Sequence, residues 1–81
     1  MKIKGNPGPD RITVTFEEGK YKGKSVTMDA DHLIGGVALY ASTIKNWDGL
    51  EHTEIDEKTK KEIVELIKQE LKKYPQSEIV E

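Results

Sequence analysis

"EIDEKTKKEIVELIKQELKKYP" (Glu54–Pro75) is the stretch where the chain takes on a helical period. Ile63, Leu66, Ile67, Leu71 and Tyr74 recur at i, i+3, i+4, i+8 and i+11, which sets them along one stripe of an α-helix. Asp56 stands where an N-cap would accept a backbone hydrogen bond, with Glu57 in the first turn. Thr53, three residues upstream, is a rival cap. Lys72 and Lys73 suit the negative end of the helix dipole, and Pro75 cannot continue the helix. The pattern predicts one amphipathic helix over about 56–74. Its polar face mixes signs (Lys60, Lys61, Glu65, Lys68), which suits water rather than a membrane surface.

Upstream, the period is that of strands. "GNPGPD" (Gly5–Asp10) is a turn cluster, with Pro7 and Pro9 excluding helix. In "RITVTFE", Ile12, Val14 and Phe16 alternate with Thr13 and Thr15, the signature of a half-buried strand. "EEGK" (Glu17–Lys20) reads as a hairpin turn, with Gly19 free to take positive φ. "KSVTMDAD" alternates again, Val26, Met28 and Ala30 on one face, Ser25, Thr27, Asp29 and Asp31 on the other. Gly35-Gly36 marks a tight turn or bulge, and "VALYAS" is a third strand with Val37, Leu39 and Ala41 on one face. "SEIVE" (Ser77–Glu81) adds a short last strand. The expected fold is α+β and a single domain over 1–81. It has a small antiparallel sheet, a three-stranded meander plus a C-terminal strand, packed by one helix.

Composition sets bounds on what this fold can do. Apolar and charged residues each make up 35% of the 81 residues, so a thin core lies under a heavily solvated surface. Such a core leaves a stability of roughly a few kcal/mol, which a bound partner or a second copy would raise. The chain has no cysteine, which excludes disulfides, thiol nucleophiles and thiolate metal sites. The opening "MKIKGNPG" lacks the apolar run of a secretory leader, and no stretch approaches the ~20 apolar residues of a membrane helix. The expectation is a soluble, cytoplasmic protein with no membrane partner. Net charge is −2, with the acidic excess after residue 45, a balance unlike that of a dedicated nucleic-acid binder.

Three groups of residues have chemistry worth weighing. "DADH" (Asp29–His32) sets two carboxylates beside an imidazole, a donor set for a hard or borderline metal, but an ordinary solvated strand face gives the same pattern. His52, next to Glu51, lacks a framed nucleophile and reads as a loop histidine. "KYKGK" (Lys20–Lys24) interleaves lysines with Tyr21; Lys20, Lys22 and Lys24 suit phosphates and the ring suits a base, yet lysines at a strand edge also discourage aggregation. No catalytic set, cofactor or metal site is expected. Trp47, the only tryptophan, reads as a core residue sealing the end of the sheet or as a partner anchor, and its bulk favours the core. The expected structural core includes Phe16, Tyr40, Ile44, Trp47, Ile63, Ile67 and Leu71.

The order of these features carries a resemblance. Gly35-Gly36 leads into an apolar strand bearing Tyr40. Thr43-Ile44-Lys45-Asn46-Trp47 follows, and Ile55-Asp56-Glu57 opens a helix with Ile63 and Ile67. Over roughly residues 10–80 this resembles the bacterial immunity protein 74 family of polymorphic and contact-dependent toxin systems. The resemblance implies a cytoplasmic protein that neutralises a cognate toxin by covering its active site or an adjacent surface, with no catalysis of its own. Asp29, Asp31 and His32 on the sheet, and Asp48, Glu51 and His52 in the loop, would then present carboxylates to a basic toxin cleft such as that of a nuclease domain. The alternative is a small nucleic-acid-binding module built on the Lys20–Lys24 tip.

Overall fold

The computed structural model describes residues 1–5, 10–49 and 53–81, with the side chain of Leu33 also outside that description. Five strands lie side by side in chain order: β1 (Lys2–Gly5), β2 (Arg11–Thr15), β3 (Ser25–Leu33), β4 (Gly36–Tyr40) and β5 (Glu78–Val80). The helix α1 (Glu57–Leu71) precedes β5. Pairing is antiparallel from β1 to β4, and β5 runs parallel to β4. The architecture is α+β, a mixed sheet packed by one helix.

The strands form where the alternation predicts them. Ile12 and Val14 of β2, Val26, Met28 and Ala30 of β3, and Leu39 of β4 are buried in one cluster with Ile63, Val64, Ile67 and Leu71 of α1. Burying each larger aliphatic side chain contributes roughly 1.5–3 kcal/mol, so this layer supplies most of the driving force. Phe16, Ile44 and Trp47 belong to the same cluster.

The sheet is larger than the expected meander in two ways. β1 lies before the turn cluster; with four residues and Ile3 as its one apolar side chain, it shows no alternation of its own. It forms because Ile3 pairs with Val14 at the end of the hydrophobic layer. The C-terminal strand is present but parallel to its neighbour, because α1 carries the chain back across the sheet and a parallel pair needs such a crossover.

The helix is shorter than expected and rotated. Asp56 is the cap: its carboxylate accepts the Thr59 amide at 2.7 Å, and this hydrogen bond holds the acid below the usual carboxylate range. After Leu71 the chain tightens into i+3 bonds, from Lys72 N–H to the Gln69 carbonyl and from Tyr74 N–H to the Leu71 carbonyl. Tyr74 thus lies beyond the helix and is exposed. Val64 is buried and Leu66 is 41% exposed, so the stripe runs Ile63, Val64, Ile67, Leu71. In place of a hairpin turn at Glu17–Lys20, a single turn of 3₁₀ helix (Gly19–Tyr21) lies within a longer connection, with Gly19 at φ 79°.

The two adjacent glycines have different duties. Gly35 takes φ 79° in the two-residue turn between β3 and β4. Gly36 has an ordinary φ, but a Cβ there would lie 2.1 Å from the Gln76 carbonyl oxygen. The chain leading into β5 therefore crosses directly over Gly36, and Ser77 Oγ accepts the Val37 amide at 3.1 Å just beyond.

Candidate partner-binding surface

Directly paired residues share a face of the sheet, so the register defines the side that α1 leaves open. It carries Lys2 and Lys4 from β1, Thr13 and Thr15 from β2, Ser25 and Thr27 from β3, and Ala38 and Tyr40 from β4 with Glu78 and Val80 from β5. Arg11 pairs with Asp29, and Asp31 with Ala38. The open face thus grades from lysines at the β1 edge, through a belt of hydroxyls, to carboxylates towards β5. The hydroxyls are bonded across the strands: Thr13 to Thr27 and Thr15 to Ser25, both at 2.8 Å.

Each acidic residue singled out in the sequence and described in the structure has a partner here. Asp29 lies 3.6 Å from the Arg11 guanidinium, and its amide donates to Thr43 Oγ1 at 2.8 Å. Thr43 in turn donates to the Tyr40 carbonyl at 2.7 Å, so one hydroxyl closes the end of β4 against β3. A shallow depression of about 490 Å³ opens beside it, lined by Arg11, Thr27, Asp29, Thr43 and Lys45. Asp31 accepts a hydrogen bond from the Tyr40 hydroxyl, which raises the phenol's pKa, with desolvation adding to it. Tyr40, expected in the core, is half-buried on this open face. His32 Nε2 is 3.7 Å from the Asp10 carboxylate, both side chains largely exposed. Asp48 accepts from the Thr27 hydroxyl at 2.7 Å, while its amide donates to the Ser25 carbonyl at 2.9 Å. Glu51 and His52 lie outside the described residues. Asp29, Asp31 and Asp48 thus share one face, whereas His32 pairs with Val37 and so projects from the other side of β3, exposed beyond the buried layer. Among the described residues, no group of three or more His, Asp or Glu is placed to hold a metal ion.

Trp47 is buried at the end of the sheet, where Phe16, Tyr21 and Trp47 form an aromatic cluster. Ring centroids are 6.3 Å apart for Phe16–Trp47, edge to face, and 5.4 Å for Tyr21–Trp47. Lys24 Nζ sits 5.1 Å from the Trp47 ring centroid, a cation–π arrangement. Tyr21 is the residue that sequence reasoning placed wrongly on a basic tip. It is buried, and its hydroxyl donates to Glu62 of α1, with Lys20 Nζ 3.1 Å from the same carboxylate. Those two donors hold Glu62 below the usual glutamate range, the Tyr21 bond first. The ring that would stack on a base is thus packed inside, and Lys20 is occupied by α1.

Among the pairings missed from the sequence are Arg11–Asp29, Tyr40–Asp31 and Lys20–Tyr21–Glu62. The first two follow once register is known, since Tyr40 sits diagonal to Asp31 within reach of a long aromatic side chain. The third joins residues 41 positions apart and leaves no local signal.

A family model described as Immunity protein 74 matches residues 9–77. No curated protein and no solved structure gives a significant match to the chain.

Proposed function

Because the chain belongs to the immunity protein 74 family, we propose that it neutralises a protein toxin encoded beside it, by binding and without catalysis. The match over residues 9–77 carries this reading, since it takes in β2, β3, β4, the Trp47 segment and α1. The proposed site of action is the cytoplasm. Among the described residues, no helix is long and apolar enough to cross a membrane.

The proposed toxin-facing residues are Asp29, Asp31 and Asp48 on the open face and His32 near the β3–β4 turn, joined by Glu51 and His52, which follow Asp48 in the chain. Several features support this. The three aspartates stand on an exposed face, each already oriented by a partner of its own (Asp29 by Arg11, Asp31 by Tyr40, Asp48 by Thr27), which reduces the side-chain entropy lost when a partner lands. Their charge suits a basic cleft, of the kind a nuclease domain presents, and would steer its approach. Binding there would cover the cleft and bar the substrate.

The test is co-expression and titration with the neighbouring toxin. Cells making the toxin survive when this protein is present, and the pair binds with Kd below about 10⁻⁸ M. Asp29→Asn, Asp31→Asn and Asp48→Asn slow association, most at low salt. A toxin that neither binds nor is silenced by the wild-type protein overturns the reading.

A further inference from the structure

Leu66 is a large apolar residue that the helix turns outward instead of into the core. Two hollows meet on it. One, of about 700 Å³, is lined by Gly19, Tyr21, Glu62 and Glu65; the other, of about 300 Å³, by Phe16, Glu17, Gln69 and Glu70; Glu18 and Leu66 line both. They form one groove between α1 and the β2–β3 connection, with Leu66, Tyr21 and Phe16 as apolar floor.

The rim is acidic. Glu17, Glu18, Glu62, Glu65 and Glu70 line it against Lys20, Lys73 and the chain's amino group. Three of those acids are engaged: Glu62 by Tyr21 and Lys20, Glu70 by Lys73 at 3.3 Å, and Glu17 by the amino group at 3.1 Å. Glu65 sits in the field of Lys68 without a hydrogen bond to it, and Glu18 has no ion pair among the described residues. An apolar floor under two available carboxylates matches a long basic side chain, which packs its aliphatic stem and keeps its charge at the rim.

We propose that this groove anchors a basic segment of the toxin, an arginine or lysine whose aliphatic stem lies along Leu66 with its charge between Glu18 and Glu65. The assignment rests on the toxin-neutralising reading above and names a second contact for the same partner. The two surfaces flank the same buried aromatic cluster. Tyr21 lines the groove, its ring is 5.4 Å from that of Trp47, and Asp48 is the next residue, hydrogen-bonded to Thr27 on the open face. A standard interface covers about 800 Å² on each partner, wide enough to wrap one end of a molecule measuring 35 × 26 × 21 Å.

The experiment titrates the neighbouring toxin against wild type, Leu66→Lys, and the double variant Glu18→Gln/Glu65→Gln, with a thermal melt of each. Leu66→Lys places a cation on the floor of the groove and weakens binding about 100-fold or more, as loss of a central anchor does. The double variant keeps shape and weakens binding about tenfold, with a shallower salt dependence. Should Leu66→Lys fail to fold, the double variant decides. Folded variants that bind the toxin like wild type overturn the groove assignment and leave the toxin reading standing. A wild-type protein that does not bind the toxin removes both. A Leu66-dependent dimer in sedimentation, with toxin binding unchanged, gives the groove to a second copy and also overturns the proposal.

Discussion

On β2 and β3, alternate residues face two different environments. Ile12, Val14, Val26, Met28 and Ala30 lie under α1, while Thr13, Thr15, Ser25, Thr27 and Asp29 face away from it. The covered side is held by apolar burial, which is large and non-directional. The open side is held by hydrogen bonds and ion pairs, which are directional and individually modest because water competes for the same groups. One set of strands therefore separates stability from display. Residues on the open side can vary with little penalty to the fold, whereas those under α1 cannot.

The largest expected effect comes from the covered side. Ile67→Ala removes a fully buried side chain from the contact between α1 and the sheet and should cost about 2–5 kcal/mol. The urea midpoint measures this, and affinity for the toxin, corrected for the unfolded fraction, stays unchanged. A loss of affinity in the folded fraction would mean that the two sides are not separate. Next is Gly36→Ala, where the new methyl group meets the Gln76 carbonyl and β5 must shift outward. A cost of about 1–3 kcal/mol is expected, read by the melting temperature. The same change at Gly35 is disfavoured for a different reason, its positive φ.

The smallest effect is at Asp56, exposed at the start of α1. Asp56→Ala removes the cap and lowers the melting temperature less than either substitution above. Its pH dependence has a definite sign. The folded-state pKa is lowered, so the stabilisation is present above the ordinary carboxylate range and is lost as pH falls through the folded value. The difference in melting temperature between wild type and Asp56→Ala is therefore full at neutral pH and closes under acid. A difference that persisted into strong acid would show that the ionised cap is not its source.

Much of the covered side was legible in the sequence. Alternation placed Ile12, Val14, Val26, Met28 and Ala30 correctly, and Asp56 was identifiable as a cap from residue type and position. The direction of β5 was hidden, because it depends on the crossover rather than on anything in "SEIVE". Leu66 was misplaced since Ile63 and Ile67 fit either of two stripes, and whether Val64 or Leu66 joins them depends on where the helix axis settles on the sheet. On the open side the faces of Asp29 and Asp31 could be read from the two-residue period, but their partners Arg11 and Tyr40 come from neighbouring strands and appear only with the register.

The aromatic cluster also gives the molecule an optical probe of its own. Trp47 is its single indole, buried beside Tyr21 and under the ammonium of Lys24. Unfolding moves this one emitter from an apolar shell into water, which shifts its fluorescence to the red. Energy absorbed by Tyr21, one ring away, passes to it most efficiently while the cluster is assembled. Because Tyr21 also lines the groove beside Leu66, a ligand arriving there would alter the light emitted by Trp47 as well, so one emitter could report both loss of the fold and binding without any attached dye.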